Sequence, residues 1–255
     1  MVTKKKSAPP RALHLLSTTQ LPMKSASAVA AIEGGWLVVD DDRGVFRVID
    51  GEASLLRGPG DHSAFGDLEG LTVDGAGNVF VVAEESGVIL RGALASRDTV
   101  VVGSIASPAK KKAKKKGGSN KGFEGLAWLP AALSPDDADA LLVAHEAKPK
   151  RVLMVTPADL EVRNELELDD ALDAALGDLA DVAVDPVSGC WLLLSDESAR
   201  IGVAKANGSE LVHVGSIDLP FDSDEKPEGL AFVDDDTLAI VTDATARLRL
   251  FRVER

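Results

Sequence analysis

Four carboxylates recur in a common setting along this 255-residue chain: Glu69 in LEGLTVD, Glu124 in FEGLAWL, Asp181 in ADVAVDP and Glu228 in PEGLAFV. Each opens an apolar run. A fifth, weaker copy, SASAVAAI, puts Ser27 at the same place, so the anchors are spaced by 42, 55, 57 and 47 residues. A second column of polar side chains follows each anchor: Asp41, Glu84, His145, Asp196 and Asp243. The separation is 15 residues in three repeats, 14 in the first, and 21 in the third, which carries an insertion. Glu85, Glu146 and Glu197 thicken this column.

Repeats of this length are propeller blades rather than units of a helical array. In a propeller the first strand of each blade lines the axis, and the loops entering strand one and leaving strand two emerge on one face. The anchors therefore form an inner ring of Glu69, Glu124, Asp181 and Glu228. An outer ring holds Asp41, Glu84, Glu85, Glu146, Asp196 and Asp243. Carboxylates gathered on one axis raise each other's pKa unless water or a cation intervenes. Ca²⁺ suits such a ring, because it takes six to eight oxygens at about 2.3–2.6 Å in irregular geometry. Mg²⁺ fits less well because it demands a small octahedron, and Zn²⁺ finds none of the nitrogen or sulfur it prefers. Gly70, Gly125 and Gly229, directly after three anchors, let backbone approach the crowded axis. The alternative use of an anchor is to cap backbone amides of the next blade.

The elements that position these residues are legible as strands. Each anchor opens a short strand, and turns such as DGAGN at Asp74–Asn78 and DPVSG at Asp185–Gly189 reverse the chain. Apolar second strands follow, WLVV, VFVV, LLVA, WLLL and LAIV, of the kind covered on both faces. Third and more polar fourth strands complete each repeat. The last repeat stops after its third strand, while the chain opens with the orphan ALHLLSTTQLP, which resembles the fourth strand ELVHVGSIDLP. The expectation is an all-β fold, a five-bladed β-propeller of four-stranded antiparallel blades, with Ala12–Leu21 closing the ring in the last blade. Residues 1–11 are then a tail and residues 12–255 one domain. A short helix is expected over Asp169–Leu176, from Leu168, Leu172 and Leu176 at i, i+4, i+8, with Gly177 as its stop.

Composition narrows the function. The chain holds 28 basic and 41 acidic side chains. Eleven of the basic ones lie in residues 1–11 and in the Lys-rich run 109–121, leaving 17 against 41 for the body, a net −24. Such a surface repels phosphate backbones and favours divalent cations or basic partners. The Lys-rich run reads as a solvated loop that folds back toward the acidic face. Without interleaved aromatic residues it makes a poor nucleic-acid platform. The single cysteine, Cys190, cannot form an intrachain disulfide and, beside Trp191, reads as core. No apolar run reaches the ~20 residues needed to span a bilayer, and the basic start lacks an apolar segment after it. These features lead us to expect a cytoplasmic monomer.

LEGL at Leu68, NKGFEGLA at Asn120, HEAKPKRV at His145, LSDES at Leu194 and KPEGLAF at Lys226 together resemble the SdiA-regulated domain family, over about residues 20–255. The resemblance implies a five-bladed propeller with a calcium site, distantly related to NHL-repeat proteins, and a family without a firm biochemical role. Glu69, Glu124 and Glu228 match its EG anchors, Asp181 is a variant, and Ser27 departs from the pattern. Glu146, Lys148, Pro149, Lys150 and Arg151 match the stretch after the second strand.

Two functions fit these residues. One is a Ca²⁺-holding platform that receives a protein or small-molecule ligand on its acidic axial face. The other is a metal-dependent hydrolase of a lactone, ester or phosphoester, with His145 or His62 as candidate bases. No nucleophile elbow, His-Glu-x-x-His pair or Walker loop is present.

Overall fold

The computed structural model describes residues 8–41, 43–57, 67–96, 100–105, 122–146, 148–222 and 224–255. His62 and the run 109–121 lie outside the described residues.

Among the described residues the structure is all-β apart from one short helix. A first strand β1 (Ala12–Gln20) precedes β2 (Ala28–Ile32), β3 (Gly35–Asp40), β4 (Gly44–Ile49) and β5 (Glu52–Arg57), and the last four form one antiparallel sheet. A second sheet holds β6 (Leu68–Val73), β7 (Asn78–Ala83), β8 (Val88–Ala93) and β9 (Val100–Ser104). Next come β10 (Phe123–Leu129), β11 (Ala140–His145), β12 (Arg151–Val155), β13 (Val162–Leu168) and helix α1 (Asp170–Ala175). They are followed by β14 (Asp181–Val184), β15 (Trp191–Ser195), β16 (Arg200–Asn207) and β17 (Glu210–Asp218). The chain ends with β18 (Pro227–Phe232), β19 (Thr237–Thr242) and β20 (Arg247–Glu254), and β1 pairs antiparallel with β20, Ala12 opposite Glu254.

The expected turn chemistry is present. One Asp74 oxygen accepts the amide hydrogens of Ala76 and Asn78, at 2.9 and 2.8 Å, and Gly77 takes φ +79°. A residue with a Cβ is strained at that angle. The insertion between β10 and β11 lengthens their turn, as the 21-residue spacing required.

The continuous apolar second strands are explained by burial on both faces. In β7, Val79, Val81 and Ala83 pack with the preceding sheet, whereas Phe80 and Val82 pack with the following one. Similar clusters join β10–β13 to β14–β17, that sheet to β18–β20, and β18–β20 to the sheet of β2. Each of these clusters joins neighbouring sheets, an arrangement that fits a β-propeller.

Two neighbouring sheets depart from the expected separate blades. β13 and β17 pair in parallel, Glu167 opposite Glu210 and Leu168 opposite Leu211, so β10–β17 form one eight-stranded sheet. Helix α1 seals this junction. Its N-cap Asp169 accepts from the Leu172 amide at 2.8 Å and, through its other oxygen, from the His213 amide of β17 at 2.9 Å. Leu172 and Leu176 are buried between the two halves. Cys190 and Trp191 are core residues. Among the described residues no helix is long and apolar enough to cross a membrane.

Candidate functional site

The segments entering the first strands and leaving the second strands meet around one cavity of about 370 Å³. Glu69, Glu124 and Glu228 line it from β6, β10 and β18, and Ser27 lines it just before β2. Asp41, Glu84, Glu146, Asp196 and Asp243 line it from the second-strand exits. The structure therefore brings three of the four inner acids and five of the six outer acids to one opening. Glu85 is exposed and does not line it. Deeper along the axis, Val29, Leu71, Leu126, Val182 and Leu230 line a separate cavity of about 190 Å³, so the acids occupy one end.

Asp181 is placed differently. It is 3% exposed and does not line the cavity. One oxygen accepts from the amides of Val182 at 2.8 Å and Leu126 at 3.2 Å, and the other accepts from the Leu230 amide at 2.8 Å. These donors lie on three first strands. Burial pushes the Asp181 carboxyl upward, and the three amides pull it back. Asp181 is thus a tie between first strands. Gly125 makes room for it, since a Cβ there would stand 2.5 Å from Asp181 Cα.

The remaining acids oppose one another. Burial, then the charges of Asp41, Glu124 and Glu228, push Glu69 up to about 10. Glu124 rises to about 8 through burial and Glu84, against a 3.2 Å hydrogen bond from the Gly122 amide. Glu228 also rises to about 8, from burial and then Asp196 and Asp243, with Lys226 acting against them. Asp41 reaches about 7 through burial and Asp243, while the Ser27 hydroxyl donates to its carboxylate. Ser27 in place of an acid thus supplies a donor to the outer ring. Burial raises Glu84, Asp196 and Asp243 as well. Burial is the larger cause throughout, and like charges across the cavity add to it.

His145 does not join the cavity. It is 1% exposed, and its ring stands edge-on to Phe123 with centroids 5.0 Å apart. It packs within β11 and does not line the opening.

Two lining side chains escaped the repeat pattern. Asp178 precedes its anchor by three residues, and Lys226 precedes Glu228 by two; both sit in segments whose path only the fold fixes. The Lys226 ammonium lies 3.7 Å from Asp196. Asp178 accepts from the Ser195 hydroxyl and, at 3.2 Å, from the Glu197 amide. Among the described residues, Glu146, Asp178 and Glu197 form the carboxylate group gathered within 4.8 Å; the first two line the cavity and Glu197 is exposed. The inner glutamates face the same space but are not drawn together that closely.

Comparison with solved structures matches this architecture to several proteins. A glutaminyl cyclase from Myxococcus xanthus aligns with a TM-score of 0.64 at 11% identity, covering 97% of this chain and all of that one. A calcium-binding protein, regucalcin, from Agrobacterium tumefaciens aligns at 0.55 and 11% identity over 89% of this chain and 76% of its own. A putative gluconolactonase aligns at 0.57 and 11% identity, over 95% and 92% of the two chains. At these identities the likeness is one of fold. No curated protein sequence matches the chain. The model of one family, SdiA-regulated, matches residues 38–245, from the first blade's second strand to the last anchor's outer acid and just beyond. With its EGL anchors and acidic opening in that match, the chain belongs to the SdiA-regulated family.

Proposed function

We propose that this protein is a five-bladed β-propeller, closed by β1 in its last blade, that binds Ca²⁺ at its acidic axial opening. The opening then serves as a platform for a protein or small-molecule ligand. Glu69, Glu124 and Glu228 are the proposed metal-binding residues, and Asp181 ties the strands of Glu124 and Glu228. The observation that carries this reading is the gathering of these three carboxyls around one cavity, each pushed upward by burial and then by neighbouring acids. An all-oxygen donor set under such repulsion is relieved by a hard divalent ion. The fold likeness to a calcium-binding regucalcin is consistent with it. The same reading makes residues 12–255 one domain and the protein a cytoplasmic monomer.

Calorimetric titration with Ca²⁺ and Mg²⁺ tests the proposal. Calcium at a hundredfold excess over Kd should add about 2.7 kcal/mol to unfolding. Glu124→Gln with Glu228→Gln should remove that gain, and an undiminished gain would place the ion elsewhere.

A second reading, metal-dependent hydrolysis of a lactone, ester or phosphoester, draws on Asp41. A cavity carboxyl at about 7 is suited to accept and return a proton near neutrality. Turnover of any such substrate class that Asp41→Asn abolishes would favour this reading over the platform.

A further inference from the structure

Among the described residues of the stretch 145–151, Glu146 alone lines the cavity, and Lys150 is buried. Lys150 is 4% exposed, and its ammonium donates to the Leu176 carbonyl and, at 3.2 Å, to the Asp173 carbonyl. It also pairs with Asp173 Oδ1 at 3.0 Å. These groups belong to the last turn of α1 and its C-cap, where a cation satisfies carbonyls that have no partner within the helix.

The segment after that cap forms one wall of the opening. The Gly177 amide donates to Ser198 Oγ at 2.7 Å, and Asp178, Leu179 and Ala180 line the cavity. Asp181 comes next, and its carboxylate holds the amides of Leu126 and Leu230. Those two residues lie two positions after Glu124 and Glu228. A continuous chain of hydrogen bonds and backbone therefore runs from the Lys150 ammonium to the strands that carry two of the three axial acids.

We propose that Lys150 is a positioning residue for the axial opening: by fixing the C-terminal end of α1 it sets the Gly177–Asp181 segment and, through Asp181, the placement of Glu124 and Glu228. This rests on the cation-binding reading above. Its sign separates it from simpler roles. Loss of a nearby positive charge by itself would tighten Ca²⁺ binding, and a purely structural loss would lower the melting temperature without changing Ca²⁺ affinity.

The test uses the full chain with Ca²⁺ as probe and compares wild type, Lys150→Met, Lys150→Arg and a core control in another sheet, Leu37→Ala. Lys150→Met should weaken Ca²⁺ binding about 10-fold, the scale seen when a group that orients metal ligands is lost. Lys150→Arg, which keeps the donors, should recover most of the affinity. Leu37→Ala should lower the melting temperature and leave the affinity unchanged. If Lys150→Met does not fold, Lys150→Gln, whose shorter uncharged amide cannot form the ion pair with Asp173, takes its place. Amide exchange supplies a readout without metal: Gly177–Ala180 should exchange faster in the variant than in wild type. Wild type that binds no Ca²⁺ would end the cation reading, and exchange would still judge Lys150. Unchanged or tighter Ca²⁺ binding in Lys150→Met, or unchanged exchange at Gly177–Ala180, would overturn the assignment.

Discussion

The Asp181 carboxylate accepts the amide hydrogen of Leu230 at 2.8 Å, joining β14 to β18 across 49 residues of sequence. Its other oxygen accepts from Leu126 of β10. Inner strands have one edge that no ladder covers, and their buried amides need an acceptor. Asp181→Ala leaves three such amides without one, and unpaired buried donors cost about 1–3 kcal/mol each. We expect a loss of about 3 kcal/mol or more in chemical denaturation. Asp181→Asn, which keeps one carbonyl oxygen, should lose less, and equal loss in both would argue against the acceptor role.

Stability should fall with rising pH in the metal-free protein. Glu124 and Glu228 titrate at about 8 in the folded chain against an ordinary 4.5. Between those values the folded state holds protons that the unfolded state has released, so each step upward in pH favours unfolding. Thermal melts in EDTA should show a lower melting temperature at pH 8 than at pH 5.5. Saturating Ca²⁺ should reverse the trend, because ligands must be deprotonated to bind.

The double change Glu124→Gln with Glu228→Gln carries a second expectation besides loss of the calcium effect. In EDTA at pH 8 it should melt above the wild type, since it removes two carboxylates whose ionised forms repel Glu69 and Glu84. A lower melting temperature there would show that these acids stabilise the opening without a metal.

Glu225 anchors the segment that delivers Lys226. Its side chain, 1% exposed, takes both oxygens to Arg249 at 2.7 Å and one to Arg247 at 3.0 Å. Glu225→Ala strands the largely buried Arg249 guanidinium, and breaking a buried pair costs about 3–5 kcal/mol. Denaturation should show that loss, and Glu225→Gln should show a smaller one.

Ring closure by β1 can be tested by deleting residues 1–20. The edge of β20 would then lie open to pairing with another chain, and soluble yield should drop with a rise in light scattering. Arg11→Ala, which removes only an exposed pair with Glu254, should leave melting unchanged.

Most of the fold was legible along the chain because strand spacing, turn residues and apolar second strands are local signals. DGAGN and DPVSG reverse the chain through the side chains of Asp74 and Asp185, which bind amides of their own turns, although Asp185 also pairs with the distant Arg255. The α1 region was legible through Leu172 and Leu176, buried as their spacing required, although the helix is shorter than expected: Asp169 caps it and Leu168 ends β13. The parallel pairing of β13 with β17 was not, because nothing local marks which edges of two neighbouring sheets will meet.

The sequence by itself determined that acids recur at one point of every repeat but the first, and therefore that they share one end of the molecule. Only tertiary structure decided what each acid does there. Glu69, Glu124 and Glu228 face open space, while Asp181, identical in repeat position, turns inward to three amides. His145 occupies the same column as Asp41 yet packs against Phe123. Asp178 and Lys226, outside any column, reach the cavity. A carboxylate's role depends on which donors, charges and water lie within a few ångströms. Those neighbours come from strands scattered across the whole chain, and no repeat spacing encodes them.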